Sequence, residues 1–189
     1  MRVWILVFGI ATATNVLADP VDFRERTEYY DVRGTTAEEL TRQMARLGPP
    51  QPSGRRAWAL TAWQIESKYT LVPGKSDCRL VEPRVTLDVL TTIPRWTDSG
   101  TGPGKLRVAW RKMLVAIVEH EQVHRTHAVG AAERTAELLA RLAPHADCAR
   151  MERQARIVLK REMASARKLS RAFDQETDFG ALEGVSLDP

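Results

Sequence analysis

A switch in hydrophobic periodicity near the middle of the chain constrains the fold more than any other feature. From about Lys105 to Leu142, apolar residues recur every three or four positions, the spacing that places them on one face of an α-helix. Pro144 ends this pattern, because proline cannot continue a helix. A second helical pattern runs from about Asp147 to Phe173, and the short connection between the two predicts an antiparallel pair of long helices.

The first half of the chain is instead rich in β-branched and aromatic residues. Such stretches lie at Thr27–Val32, Ala57–Val72 and Cys78–Ile93, and the last two predict a β-hairpin. Between the first two, a Thr-Thr-x-Glu-Glu segment resembles a capping box and predicts a short helix that ends near Leu47. We therefore predict an α+β fold in which a small antiparallel β-sheet packs against the two long helices.

The N-terminus has the layout of a cleaved secretory signal peptide. A positive residue is followed by the apolar run Val3–Ile10 and then by Val16-Leu17-Ala18, just before Asp19. A buried N-terminal helix or strand is the alternative interpretation. The apolar run is far too short to span a bilayer as a helix, and no stop-transfer segment follows it. We predict a signal peptide over 1–18, cleavage between Ala18 and Asp19, and release of a single domain, 19–189, into the periplasm or the medium.

Export also decides how the cysteines are interpreted. The sequence contains two, Cys78 and Cys148, and they do not form a Cys-x-x-Cys pair. In an oxidising compartment an even count of this kind predicts a structural disulfide bond. The two residues lie 70 positions apart, and closing so long a loop stabilises a fold by about 4 kcal/mol in the chain-entropy description.

Three of the four histidines fall within eight residues, on the first of the long predicted helices. The segment from His120 to His124 reads His-Glu-x-x-His, and residues four apart on a helix share one face, so both imidazoles can bind a single metal ion. Glu121 then lies close enough to a metal-activated water to act as a general base. A polar helix face that carries histidines by chance is the alternative. The pattern predicts a zinc site with His120 and His124 as ligands and Glu121 as catalytic residue.

A catalytic zinc ion usually has three protein ligands, and the motif supplies two. His127 lies seven residues beyond His120, about 10 Å along the helix axis, so we expect it beside the site or on the surface. The metzincin extension is absent, since Gly and His do not stand three and six positions after His124. If the helical hairpin turns at its proline, the second helix presents Glu162 at the level of His124, which makes Glu162 a candidate third ligand.

The second long helix is basic on its exposed positions, and the tail after it is acidic. The basic residues are Arg150, Arg153, Arg156, Lys160, Arg161, Arg167, Lys168 and Arg171. The helix lacks aromatic residues that could stack on bases, and an exported protein rarely meets nucleic acid. We interpret this strip as a solvated face, partly neutralised by the tail, and predict no nucleic-acid partner.

Several short segments, taken together, are similar to one bacterial family. They are Tyr29–Gly34, the strand with Trp58 and Trp63, Cys78, Pro94–Trp96, the His120–His124 motif and Phe173–Gly180. The family they resemble is that of the predicted secreted zinc-dependent proteases, whose last segment reads Tyr-Asp-x-x-Thr-x-His-Gly. The resemblance implies a zincin-like fold and makes that final His an attractive third ligand. Phe179 stands in its place here, which shifts the ligand to Asp178 or Glu162 or leaves the site without a third one.

These features predict a periplasmic or secreted zinc metallohydrolase, in particular a monomeric peptidase that acts on proteins or peptides of the cell envelope. Trp58, Trp63 and Trp96 could line a substrate groove, although tryptophans on strands more often belong to the core. The alternative is a non-catalytic envelope protein, either a degenerate zincin or a binding module, in which the same helix serves structure or metal capture. Glu121 favours the enzyme, because metal capture alone does not need it, whereas Arg125 and the substitution at Phe179 favour the alternative.

Overall fold

The structure, a computed structural model, describes residues 21–51 and 54–188. Its elements in chain order are β1 (Val21–Val32), α1 (Ala37–Leu47), β2 (Leu60–Pro73), β3 (Cys78–Trp96), α2 (Gly104–Ala140) and α3 (Cys148–Glu176), with short 3₁₀ turns at Ser99–Thr101 and Ala181–Glu183. The predicted signal peptide, 1–18, lies outside the described residues. None of the helices that these residues form combines the length and apolar character needed to cross a membrane.

The three strands form one mixed sheet in the order β1, β3, β2. β2 runs antiparallel to β3, which confirms the predicted hairpin, whereas β1 runs parallel to β3. The prediction of an antiparallel sheet is therefore wrong for β1. The connection explains the difference, because the chain passes through α1 and β2 between β1 and β3. This crossover is long enough for β3 to run parallel to β1, on the side of β3 that β2 does not occupy. The α+β class itself is confirmed.

The first strand and first helix show how local sequence sets the element boundaries. β1 begins earlier than the sequence indicated, because its first residues are mostly charged and exposed and therefore show no apolar alternation. α1 opens with the predicted capping box: the backbone N–H of Glu39 donates to the Thr36 hydroxyl at 3.2 Å, and the Thr36 N–H donates to the Glu39 carboxylate at 3.3 Å. Both bonds satisfy N–H groups that a helix start leaves unpaired.

The two long helices run antiparallel to each other and pack against the sheet, in large part through small side chains. The inward face of β3 carries Val85, Leu87 and Val89, all of which are buried. They meet a row of buried alanines on α2, which lets the helix backbone approach the sheet closely; these are Ala128, Ala131, Ala132 and Ala136. Buried residues of α3, among them Ala155 and Ala166, complete this half of the core.

A second apolar cluster lies at the other end of α2 and contains the N-terminal part of that helix. Val32 of β1, Leu40 of α1 and Trp96 of β3 pack there with Trp110 of α2. The rings of Trp96 and Trp110 lie 5.6 Å apart between centroids, so Trp96 belongs to the core. The His120–His124 turn of α2 falls between the two clusters, and both clusters hold it in place.

The connection between α2 and α3 is anchored to the sheet. The Cys78–Cys148 disulfide bond joins the first residue of β3 to the first residue of α3, as predicted. Just before it, the backbone groups of His145 and Cys78 exchange two hydrogen bonds, of 2.6 and 3.0 Å. Asp147 caps α3 by accepting the Arg150 backbone N–H at 2.7 Å. The register of the two helices differs from the expected one, because Glu162 of α3 contacts Arg134 of α2 and does not lie at the level of His124.

Candidate metal centre

Two imidazoles from the middle of α2 meet at the cleft side of the helix. His120 and His124 stand one turn apart, and their Nε2 atoms are 3.2 Å from each other. Both rings are largely enclosed, since the exposed fraction of their side chains is 8% for His120 and 12% for His124. The two histidines, four residues apart on the helix, therefore bring their Nε2 atoms close enough to bind one metal ion.

The third member of the group is a carboxylate from α3. Asp174 Oδ1 lies 3.0 Å from His124 Nε2 and 3.3 Å from His120 Nε2. Two imidazole nitrogens and one carboxylate oxygen in a small triangle form a group that could hold a metal ion. Tetrahedral zinc, with bonds of about 2.0–2.1 Å, separates its ligand atoms by about 3.3 Å. The triangle in the structure has edges close to this size.

Both acidic residues that the sequence suggested as third ligand lie elsewhere. Glu162 contacts two arginines instead, Arg134 at 3.1 Å and Arg161 at 3.0 Å. Asp178 is an exposed residue in the turn after α3, outside the donor group. The register of the helices explains the error, because Glu162 lies opposite Arg134, ten residues further along α2 than His124. Asp174 was within the segment that carried the family resemblance, but sequence spacing alone gave no reason to choose it.

The C-terminal segment folds back onto the site and contacts His120. Glu183 Oε2 lies 2.7 Å from His120 Nδ1, the ring nitrogen opposite the donor atom. A carboxylate in this position accepts the Nδ1 proton and leaves Nε2 free to bind a metal, a relation common around metal-binding histidines. Gly180 makes the turn that allows it, with φ of +86° and no side chain. A Cβ at this position would lie 2.7 Å from Val185 and 3.3 Å from His120 Nδ1.

Phe173 closes the group on the side of α3. Its ring stacks on His120 with 4.8 Å between centroids and meets the edge of His124 at 5.6 Å. His127, one turn further along α2, contacts Ser170 at 3.2 Å through Nδ1 and is not one of the three donors. Of the two positions expected for His127, beside the site or on the surface, the structure shows the first, since its ring lies 6.4 Å from that of Phe173.

The electrostatics of the group follow from burial and from short contacts. Burial would lower the pKa of His120, but its hydrogen bonds to Asp174 and Glu183 outweigh burial and leave that pKa raised. Burial likewise opposes ionisation of Asp174, yet the two histidines hold its pKa well below the usual range. Asp174 is therefore an ionised carboxylate, the form that binds a cation.

Glu121 differs from its neighbours because one of its oxygens has no partner. The side chain is buried, and among the described residues Oε2 is the buried side-chain polar atom without a hydrogen bond. Burial raises the pKa of Glu121, against the opposing effect of Thr61 and of the two histidines. A buried carboxylate oxygen left unpaired is costly, so such an atom in a cleft is a candidate for contact with a ligand or a water.

Comparison with protein families identifies the group to which this sequence belongs. Residues 27–180, more than half of the chain, match the family described as bacterial protein of unknown function, DUF922. The chain belongs to this family. The DUF922 match contains all three donors and Glu121, whereas Glu183 lies just beyond it. The comparisons with curated proteins and with solved structures gave no match.

The candidate metal centre of this DUF922 chain opens into a cleft of about 1000 Å³. One wall is the N-terminal part of β2 with the loop before it, and the other is the C-terminal half of α3. Trp58 and Trp63 are half-buried in the first wall. From the sequence, these two tryptophans could belong either to a substrate groove or to the core. In the structure, both line the cleft.

Proposed function

We propose that this chain is a zinc-dependent hydrolase that cleaves peptide bonds in the cell envelope, and that its fold is zincin-like. The observation that supports this most is the pairing of two different groups in one cleft. His120, His124 and Asp174 form a compact donor triangle, and Glu121 places an unpartnered buried oxygen beside it. Metal capture needs the triangle alone, whereas hydrolysis needs both groups.

The donor set fits zinc better than the other common divalent ions. Two imidazole nitrogens and one carboxylate oxygen are ligands that zinc accepts, and three protein ligands with an open position are typical of catalytic sites. Calcium and magnesium prefer six or more oxygen ligands, which this group does not offer. When bound, zinc would lower the pKa of a water molecule and polarise the carbonyl group of the substrate.

The chain's own residues have distinct tasks in this proposal. Glu121 Oε2 accepts a proton from the attacking water and later delivers it to the leaving amine, the work of a general base followed by a general acid. The raised pKa that burial gives Glu121 brings it closer to the range useful for proton transfer near neutral pH. His120 and His124 hold their orientation through α2, and Glu183 fixes the tautomer of His120.

An extended peptide suits the shape of the cleft. β2 is an outer strand of the sheet, so one of its edges carries main-chain groups that no other strand of the described sheet uses. Such an edge can pair with a peptide by β-augmentation. Its residues Leu60–Trp63 line the cleft at the level of His120 and Glu121, which would bring the peptide backbone to the metal centre.

Metal content and turnover, measured together, test this proposal. The protein is purified from the envelope fraction with its disulfide intact, dialysed against micromolar zinc and submitted to elemental analysis. We expect about one zinc per chain, loss of that zinc in His124→Ala and Asp174→Asn, and full zinc content in Glu121→Gln. Cleavage of a denatured protein substrate should be lost in all three variants.

The variants separate the possible outcomes. If wild-type protein binds no zinc, the proposal is wrong. If zinc is bound through His124 and Asp174 but Glu121→Gln cleaves as fast as wild type, Glu121 is not the base. If zinc is bound and no peptide substrate is cleaved, the site captures metal without hydrolysis.

A further inference from the structure

The cleft beside the candidate metal centre has an excess of positively charged side chains, which the binding of a metal cation does not explain. Four arginines line it, and the acidic residues in the lining are Glu121 and Asp174, both part of the centre. Two of the arginines, Arg55 and Arg56, come from the loop before β2, and the other two, Arg167 and Arg171, come from α3. The charged side chains of the lining are therefore four guanidinium groups and two carboxyl groups, an excess of positive charge even before a cation is added.

Arg167 and Arg171 share the face of α3 that points to the metal centre. They lie seven and three residues before Asp174, which is helical spacing for one side of the helix. Arg167 is held in place because its guanidinium stacks over the ring of Trp63, 5.4 Å from the centroid. Stacking of this kind leaves the N–H groups at the edge of the guanidinium free to donate.

Three arginines of α3 that lie outside the cleft have carboxylate partners. Arg150 pairs with Asp147, Arg156 with Glu152 and Arg161 with Glu162. In the part of the chain that the structure describes, neither Arg167 nor Arg171 has a carboxylate partner. The basic strip, interpreted from the sequence as a solvated face, thus has two parts. Outside the cleft some residues are paired and others, such as Arg153, have no carboxylate partner among the described residues, whereas Arg167 and Arg171 line the cleft.

We propose that the cleft selects acidic peptides, and that Arg167 and Arg171 bind a carboxylate side chain of the substrate. This inference rests on the proposed function, whose site it extends. Guanidinium groups bind carboxylates through paired, charge-assisted hydrogen bonds, which supply specificity as well as affinity. A cleft of one charge sign also attracts oppositely charged ligands and repels those of its own sign.

Size and shape favour a peptide over a small anion. The cleft volume of about 1000 Å³ is at the upper limit of the range of about 300–1000 Å³ that is usual for small-molecule sites. Its lining combines an outer strand edge with Trp58 and Trp63, features that contact backbone and apolar side chains. A free carboxylate or phosphate would use the arginines and leave the rest of the cleft unused.

Binding to a variant that cannot turn over tests the inference without depending on activity. Glu121→Gln protein of known zinc content is titrated against three fluorescent octapeptides that differ at two central positions, which are Glu, Gln or Lys. At about 0.15 M salt the Debye length is about 8 Å, so the measurement reports charges in the cleft. We expect the Glu peptide to bind about tenfold or more tightly than the Gln peptide, and the Lys peptide to bind most weakly.

The matched variants remove the same charge inside and outside the cleft. In Arg167→Gln/Arg171→Gln, the Glu peptide should bind no better than the Gln peptide. Arg153→Gln/Lys168→Gln has the same change of net charge on exposed positions of α3 outside the cleft lining, and it should keep the preference. In Arg171→Glu the preference should move toward the Lys peptide. Circular dichroism checks that each variant keeps its helix content.

Several results would overturn the inference. The first is equal binding of the three peptides. The second is a preference for the Glu peptide that survives in Arg167→Gln/Arg171→Gln, and the third is a loss of that preference in Arg153→Gln/Lys168→Gln as large as in Arg167→Gln/Arg171→Gln. A single-stranded oligonucleotide of the same charge that binds as tightly as the Glu peptide would also overturn it, because the cleft would then bind polyanions in general. If the Glu peptide is preferred but no zinc is bound, the proposed function is wrong and the charge selection by the cleft stands. If zinc is bound and peptides are cleaved without any charge preference, the proposed function stands and this inference is wrong.

Discussion

At the scale of single residues, the contact between Glu183 and His120 has the clearest consequence. The 2.7 Å contact orients the ring and fixes the proton on Nδ1, so that Nε2 is ready to bind a metal. We expect Glu183→Gln to lower zinc affinity by about 10–100-fold, the usual cost of losing such a partner. The measurement is a competition titration with a chromophoric chelator, for which turnover is not needed.

A nearby acidic residue provides the control for this experiment. Asp178 is exposed in the same segment and is not one of the donors, so Asp178→Asn should bind zinc like wild type. Glu183→Asp, which keeps the charge on a shorter side chain, should recover part of the affinity. An unchanged zinc affinity in Glu183→Gln would show that the contact does not orient His120.

At the scale of elements, the turn after α3 carries Glu183 to the metal centre, and Gly180 decides its path. A Cβ on Gly180 would lie 2.7 Å from Val185 and 3.3 Å from His120 Nδ1. We expect Gly180→Ala to displace the turn, lose the Glu183 contact and lower zinc affinity about as much as Glu183→Gln does. Gly184 is the matched control, because it also has a positive φ, +94°, but its Cβ would meet nothing closer than 3.8 Å.

The comparison of the two glycines separates backbone strain from collision. Both alanine variants introduce a side chain at positive φ, which costs a similar amount of stability. Only Gly180→Ala places that side chain against Val185 and His120. An equal loss of zinc affinity in the two variants would therefore mean that strain alone, and not the path of the turn, affects the centre.

The elements themselves were predictable where local rules decide them. The capping box of α1, the β2–β3 hairpin and the two long helices follow from periodicity and turn residues. The parallel pairing of β1 was not predictable, because its charged and exposed residues carry no signal of the neighbour it selects. Asp174 was missed for a related reason: it meets His124 through the register of α3 against α2, which depends on contacts between residues far apart in the sequence.

At the scale of the whole molecule, two crosslinks would hold α3 at its opposite ends. The Cys78–Cys148 bond attaches its first residue to β3, and a metal on His120, His124 and Asp174 would attach its last turns to α2. Both constrain the same helix, so each should compensate in part for the loss of the other. The disulfide closes a loop between residues 70 apart in sequence, and its contribution is about 4 kcal/mol.

Zinc should therefore rescue the stability of a chain without the disulfide. We expect Cys78→Ser/Cys148→Ser to lose about 4 kcal/mol of unfolding free energy in the presence of a chelator. A ligand that binds only the folded state at about 1000 times its Kd restores about 4 kcal/mol, so saturating zinc should return the urea midpoint close to that of the metal-free, disulfide-bonded protein. The same variant with Asp174→Asn should gain nothing from zinc. A midpoint that rises equally in both would place the stabilising zinc at another site, and one that rises in neither would show that the donor triangle does not bind zinc in the folded chain.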